Sequence, residues 1–250
     1  MQPHPTLYAR QTMKSVDHSL DLSQVKITRV ASPVRTQVLN ELRRAIIEQR
    51  LRPGQHLVER SLIEQTGVSR ATIREVLSQL AAEGLVTTVV NKGVVVASIT
   101  ARQAEELYQV RAMLEGMAAR QFTERATAEQ RHRLREALCE IEELSRHPDD
   151  LDAMLSGKAR FYDILFAGAA NATIQELTVG LQARVSFLRR RSLAQPGRPA
   201  QTLDEVRKIV DAVERHDPHA AADAAQAHVL AAARVVLATL ASPADGNTDL

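Results

Sequence analysis

The sequence predicts a mainly α-helical protein in two parts: a winged helix-turn-helix of three helices with a small β wing, then an all-α helical bundle. Three observations carry this reading. Apolar residues recur at three- and four-residue spacing through most of the 250 residues, in segments bracketed by helix-capping side chains. Ten Gly and nine Pro are too few to break long helices. β-Branched residues crowd into LVTTVV and VVVA between residues 85 and 97, where Asn91-Lys92-Gly93 separates two short runs.

Residues 1–30 are polar, with scattered apolar positions and no sustained period, and read as a flexible arm. The winged unit is expected over 31–99. From Val34 onward Val38, Leu42, Ala45 and Ile46 set one apolar stripe inward, and the Arg52-Pro53-Gly54 turn is expected to end this first helix. Gln55 to Val58 is a short extended piece. Leu62 and Ile63 seed a brief second helix that stops at Gly67, a residue suited to the left-handed conformation past a helix end. Ser69 caps the third helix, in which Ile73, Val76, Leu77 and Leu80 face inward. Arg70 and Arg74, four residues apart, therefore share the solvent side. Gly84 closes that helix, and the two β-branched runs form a hairpin.

Six helices are expected over 100–242, with 243–250 a flexible tail. Thr100 precedes a stripe through Leu107, Val110, Leu114 and Met117. Thr127-Ala-Glu-Gln130 is a capping box ahead of Leu134, Leu138 and Ile141, because the Thr hydroxyl and the Gln side chain can each satisfy a free backbone N–H. Asp149 and Asp150 open a third helix that ends near Gly168, and Asn171 caps a longer fourth. Gln195 to Pro199 is a break, Thr202-Leu-Asp-Glu205 reads as a second capping box, and Asp217-Pro218 starts an alanine-rich last helix.

Composition narrows the function. A content of 44% hydrophobic and 25% charged residues suits a water-soluble chain of two modest domains. Aromatics at 3%, with no Trp, argue against sugar sites and base-stacking platforms. The single Cys139 can make neither an internal disulfide nor a thiolate zinc site, residues 1–20 hold no signal-peptide core, and no run approaches the roughly 20 apolar residues that cross a bilayer. A reducing cytoplasm and no membrane insertion are the expectation. The net charge of +2 hides an asymmetry. Residues 1–100 carry 13 Lys and Arg against 8 Asp and Glu, whereas the remainder carries 19 against 22. A basic front half suits a polyanion.

Pattern makes that polyanion duplex DNA. A helix fits the major groove, and residues near its N-terminus reach base edges. Arg70 is at that end and can place two parallel hydrogen bonds on guanine, which lysine could not reproduce. Ser69 and Thr72 offer short hydroxyls to phosphate oxygens at the positive end of the helix dipole. Lys92 and Gly93 at the wing tip suit an approach to the minor groove or adjacent phosphates. One recognition helix reads too few base pairs to be selective, so a homodimer on an inverted-repeat operator is expected.

The segment resembles the GntR-type bacterial transcription regulators. Leu51-Arg52-Pro53-Gly54, Leu57, Glu59, Leu62, Gly67-Val68-Ser69-Arg70, Arg74-Glu75, Leu77, Leu80, Glu83-Gly84-Leu85-Val86 and Gly93 carry the likeness. The resemblance implies DNA contacts at Arg60, Ser69, Arg70, Thr72, Arg74 and Gly93. Two departures are visible: Arg50 sits where many relatives have glycine, and Thr72-Ile73 replaces a frequent Pro-Val. Residues after Thr100 resemble the FCD effector domain of the FadR subgroup, through Arg111-Ala-Met-Leu-Glu115, Ala169-Ala170-Asn171 and Ala212 to Asp217. That likeness implies a repressor released by a small organic acid bound among the helices.

Many such domains hold a divalent metal with one Asp and three His. Here Lys158 falls at the aspartate position, Tyr162 and Val206 at two of the histidines, and only His228 remains, so no metal and no other cofactor is expected. An anionic effector would then need cationic donors. Arg111, Lys158 and Tyr162 are the leading candidates, with Asn171, Arg184 and His228 beside them; the run Arg189-Arg190-Arg191 reads as a solvated surface, and a purely structural pairing of Arg111 with Glu115 is the alternative for Arg111. Two other functional classes stay open at this stage. One is a DNA-tethered enzyme using Lys158, Tyr162 and His228 as acid–base groups, though no phosphate loop, nucleophile elbow or metalloprotease histidine pair appears. The other is an architectural DNA binder indifferent to sequence.

Overall fold

A computed structural model describes residues 33–241 apart from Pro148. The arm expected at 1–30 and the tail at 243–250 lie outside the described residues. The N-terminal unit comprises α1 (Pro33–Ile47), α2 (Glu59–Thr66), α3 (Arg70–Ala82) and an antiparallel hairpin of β1 (Val86–Val89) and β2 (Gly93–Val96). Its core is the predicted one: Ile46, Leu62, Ile73, Val76, Leu80 and Val96 are all buried in a single cluster. Gly67 ends α2 at φ +68°, a conformation that costs a side-chain-bearing residue about 1 kcal/mol or more. The extended piece at 55–58 joins the wing as a third, short edge, with Leu57 N–H donating to Val94 O and Val96 N–H to Gln55 O, both at 2.9 Å.

The second unit is six helices among the described residues: α4 (Ala101–Arg125), α5 (Ala128–Ser145), α6 (Leu151–Ala169), α7 (Ala172–Leu193), α8 (Arg198–Glu214) and α9 (Pro218–Ala241). Capping boxes at Thr100/Gln103 and Thr127/Gln130 start α4 and α5, and Asp150 and Asn171 cap α6 and α7. The helices pack closely where small residues meet large ones. A Cβ on Gly168 of α6 would lie 2.3 Å from the Phe122 ring of α4, and one on Gly116 of α4 would lie 2.7 Å from the Gln226 side chain of α9.

Four expectations are corrected. Helix α1 ends at Ile47, five residues before Arg52-Pro53-Gly54, because Gln49 turns the chain at φ +60°. The left-handed backbone is at Gln49, one residue before Arg50, the position where many relatives have glycine. On α4 the buried face runs through Ala104, Leu107, Tyr108, Arg111, Ala112 and Glu115, leaving Val110 47% and Met117 49% exposed. Large aliphatics marked the wrong stripe because α9, rich in alanine, is accommodated by small residues on α4. Thr202 caps nothing: α8 begins at Arg198 after Gly197 at φ +73°, so Thr202 sits buried in its second turn and Glu205 is free for other partners. Finally, α9 is long and apolar enough by composition to cross a bilayer, with a mean hydropathy of 1.5 over its best window. Alanine supplies that value without looking like an apolar run, and in the fold Ala221, Ala225, Val229 and Val236 of α9 are buried in the helical cores.

Candidate nucleic-acid interface and helical-domain cavity

Glu59, the first residue of α2, organises the exposed arginines of the N-terminal unit. Its carboxylate accepts from Arg70 Nε at 3.1 Å and lies 3.8 Å from Arg74 Nε, so two guanidinium groups from the first turns of α3 are held side by side. Arg60 Nε donates to Glu64 at 2.8 Å on the same helix as Glu59. All three arginine side chains are more than two-thirds exposed. Pairs this exposed contribute at most about 1 kcal/mol, so a phosphate or a base edge can displace Glu59 and Glu64 at small cost. Ser69 caps α3 by accepting from Thr72 N–H at 3.2 Å, and the two hydroxyls are hydrogen-bonded to each other at 2.9 Å. Both remain on the surface at the positive end of α3. Lys92 stands exposed in the wing turn before Gly93, whose φ is +77°, and the turn is tied down by His56 Nδ1 against Lys92 O at 2.9 Å.

In the helical unit, α4, α6 and α7 wall a cavity of about 300 Å³. Arg111, Glu115, Tyr162 and Arg189 bring polar groups to it, and Leu114, Phe166 and Val185 supply apolar surface. Arg111 is buried and donates to Glu115 at 2.8 to 2.9 Å, the structural pairing weighed above, while still lining the cavity. Glu115 keeps its second carboxylate oxygen without a partner, as do the Tyr162 hydroxyl and Arg189 Nε. The Arg189 guanidinium lies 4.6 Å from the centre of the Tyr162 ring, a cation–π contact.

Behind this wall a hydrogen-bonded chain crosses three helices. Lys158 Nζ on α6 meets His228 Nε2 on α9 at 3.0 Å, His228 Nδ1 meets Glu205 on α8 at 2.6 Å, and Arg198 clamps the same carboxylate through two bonds of 2.7 Å. Burial opposes charge on Glu205, but hydrogen bonds from His228 and Arg198 outweigh it and hold the carboxyl at about 2. Burial, aided by the charge of Lys158, pushes His228 down to about 4. The ring is therefore neutral near pH 7, with its Nδ1 proton on Glu205 and its Nε2 lone pair toward Lys158. Burial and then the charges of Arg189 and Arg111 hold Lys158 well below the usual lysine range. Around the cavity and this chain, Arg111, Arg189 and Arg198 face Glu115 and Glu205, and the cavity's other carboxylate, Asp163, is exposed to solvent. Arg189 Nε has no partner there, and a buried donor left unpaired is costly.

Of the residues singled out from sequence, Arg111 and Tyr162 line this cavity and Lys158 and His228 stand directly behind it. Asn171 does not: its side chain caps α7 through Ile174 N–H at 3.1 Å and donates to Gln121 at 3.0 Å. Arg184 lies elsewhere too, against Gly84 of the winged unit. Arg189 was missed because it was read with its neighbours as one charged run. The structure separates them, sending Arg189 into the cavity, Arg190 to Asp152 and Arg191 to Thr239. The signal was spacing: Arg189 follows buried Val185 by four residues, which puts both on one helix face. The residues at the metal position do not fit a metal. Both nitrogens of His228 are hydrogen-bonded, Lys158 offers a competing ammonium, Val206 has no donor, and no group of three or more His, Cys, Asp or Glu gathers to hold an ion among the described residues.

A helix-turn-helix with a wing, joined to a helical unit built around a cavity, defines a DNA-binding transcriptional regulator rather than an enzyme. Residues 34–96 match the model for bacterial regulatory proteins of the gntR family, and residues 106–231 match the FCD domain. The chain belongs to the GntR family of transcriptional regulators and carries an FCD domain. It is 26% identical over 200 residues to the uncharacterized HTH-type transcriptional regulator YdhC of Bacillus subtilis, covering 80% of this chain and 88% of that one. It is 29% identical to the probable D-xylose utilization operon transcriptional repressor of Paenarthrobacter nicotinovorans, covering 85% and 92%. Among solved structures, a putative GntR regulator from Rhodococcus sp. RHA1 superposes with a TM-score of 0.68 at 25% identity, covering 83% of this chain and 99% of that one. McbR/YncC of E. coli gives 0.70 at 18% identity over the same shares, a likeness of fold.

Proposed function

We propose that this regulator is a cytoplasmic homodimer that represses by binding an inverted-repeat operator, and that a small organic acid in the helical-domain cavity relieves the repression. The observation that carries it is the Arg189 guanidinium at the cavity, its Nε buried without a partner beside an Arg111 already paired with Glu115, while the cavity's other carboxylate, Asp163, is exposed to solvent. A carboxylate held by Arg189 would give that guanidinium its partner, with Tyr162 as a hydroxyl donor. On DNA, Arg60, Ser69, Arg70, Thr72, Arg74, Lys92 and Gly93 are the contact residues, with Arg70 and Arg74 reading bases and the others chiefly positioning. The exposed row Val110, Met113 and Met117 on α4 supports dimerisation, since it is an apolar helix face that the monomer leaves in water. The repressor sense follows the printed name of the Paenarthrobacter relative.

Sequencing of genomic fragments bound by the full chain tests the reading. Recovery of one inverted-repeat motif, released when the right acid is added, is the expected result; fragments without a common motif would indicate an architectural binder instead.

A further inference from the structure

A second cavity, of about 410 Å³, lies between the two units. Ile46 of α1, the turn from Gly84 to Val86 and the linker residues Ala97 to Ile99 form one side; Gln103 of α4 with Arg184 and Phe187 of α7 form the other. Arg184 is the one charged residue on its wall, and no acidic residue accompanies it. Its guanidinium makes no hydrogen bond or ion pair among the described residues, and its Nε is sealed from solvent without a partner. Gly84 leaves it that position: a Cβ there would lie 3.0 Å from Arg184 Cδ. The buried Nε is a donor without an acceptor, which an anion entering the cavity would supply. The remaining wall is amphipathic, with Ile46, Leu85, Ile99 and Phe187 apolar and Ser98 and Gln103 able to hydrogen-bond.

We propose that this junction is a second ligand site, taking an amphipathic carboxylate whose head meets Arg184 and whose apolar body lies against Phe187 and Ile99. The volume falls within the range of small-molecule pockets, and a wall that combines apolar surface with a few polar groups suits an amphipathic ligand. A ligand there touches the α3–β1 turn and α7 at once, so it ties the winged unit to the helical one. The site is distinct from the effector cavity, whose guanidiniums are Arg111 and Arg189.

The test uses the full chain with octanoate as probe, followed by isothermal titration calorimetry and by displacement of the fluorescent anion 8-anilinonaphthalene-1-sulfonate. Octanoate is expected to bind at least tenfold more tightly than neutral octanamide, and Arg184→Met is expected to weaken octanoate about tenfold or more, the loss of one charge-assisted bidentate contact. Arg189→Met is expected to leave octanoate unchanged. Equal affinity of octanoate for the wild type and Arg184→Met overturns the proposal, as does a loss produced by Arg189→Met alone, which would assign the probe to the other cavity. Ala97→Leu, which fills the junction without touching any charge, provides the second variant: it is expected to reduce octanoate binding, and undiminished binding in a folded Ala97→Leu protein equally overturns the site.

Discussion

Replacing Glu205 by Gln tests whether the buried chain from Arg198 to Lys158 holds the helical domain together. Glu205 is 19% exposed and receives both arms of Arg198, itself 2% exposed, as well as the ring of His228. Its carboxyl is held at about 2 against an ordinary 4.5, a difference of about 2.5 units. At about 1.4 kcal/mol for each tenfold change this is worth about 3.5 kcal/mol, and about 2 after allowing for the edge open to solvent. Gln can accept one bond from Arg198 but leaves its charge unmatched, and breaking a buried pair on one side costs roughly 3 to 5 kcal/mol. A loss of about 3 kcal/mol at pH 7 is expected in urea denaturation followed by circular dichroism. The sign of the pH dependence follows from the same groups. Glu205 has a depressed folded value, so its contribution is present above pH 4.5 and is lost as pH falls from 4.5 toward 2. His228 is neutral in the fold down to about pH 4, whereas the unfolded chain takes up a proton at about 6.5, so stability is also lost as pH falls from 6.5 to 4. Wild-type stability should therefore decline throughout the range from 6.5 to 2, and Glu205→Gln should lack the lower part of that decline. A loss under 1 kcal/mol at pH 7, or wild-type stability flat between pH 6.5 and 4, would refute the reasoning. Arg198→Met combined with Glu205→Leu removes both charges and should recover most of the loss.

Other variants probe the remaining elements. Arg70→Ala should cost about 1 to 3 kcal/mol of operator binding and relax preference at one base pair, whereas Lys92→Ala should weaken all sequences alike and reduce the slope of affinity against salt by about one; mobility shifts at several salt concentrations separate the two. Arg189→Met should abolish the response to the effector while preserving operator affinity, but Arg111→Met should also lower the melting temperature, because it strands buried Glu115; equal stability of the two variants would argue against that division of roles. Gly168→Ala should destabilise by about 1 to 3 kcal/mol in denaturant titration, since the new methyl meets the Phe122 ring, and a neutral effect would show that α4 and α6 are less tightly packed than described.

How far the sequence revealed this molecule depends on how local each signal is. Helix starts with side-chain caps at Ser69, Thr100, Thr127, Asp150 and Asn171 appear where expected, because a cap is decided by residues three positions apart. Thr202 and Glu205 have the same spacing and fail as a cap, because Glu205 is drawn to Arg198 and His228, a preference set by tertiary packing. The shared exposure of Arg70 and Arg74 was legible since α3 is short and one-sided. Their tie to Glu59 was not, because it depends on the angle between α2 and α3. In the helical domain the buried side of α4 that carries Arg111 is built largely from Ala, Gly and polar residues, which hydrophobic periodicity underweights, whereas Val110 and Met117 of the expected stripe are exposed.

Helix α7 is where the two units become mechanically connected. Its Gln182, Val185 and Arg189 face the helical-domain cavity, while Ala183 is part of the winged unit's own hydrophobic core and Arg184 rests on Gly84 at the end of α3. Adjacent residues on one rigid helix thus belong to two sites. An anion that draws Arg189 inward cannot reposition that part of α7 without moving Ala183 within the core that also holds Ile73, Val76 and Leu80 of the recognition helix. Coupling of this kind requires the effector to bind two settings of α7 with different affinity, and typical allosteric couplings amount to about 1 to 3 kcal/mol. Enlarging Ala183 to Leu should load one setting in advance. Operator affinity of Ala183→Leu should then lose most of its dependence on effector while calorimetry still detects effector binding. Undiminished dependence would move the coupling away from α7.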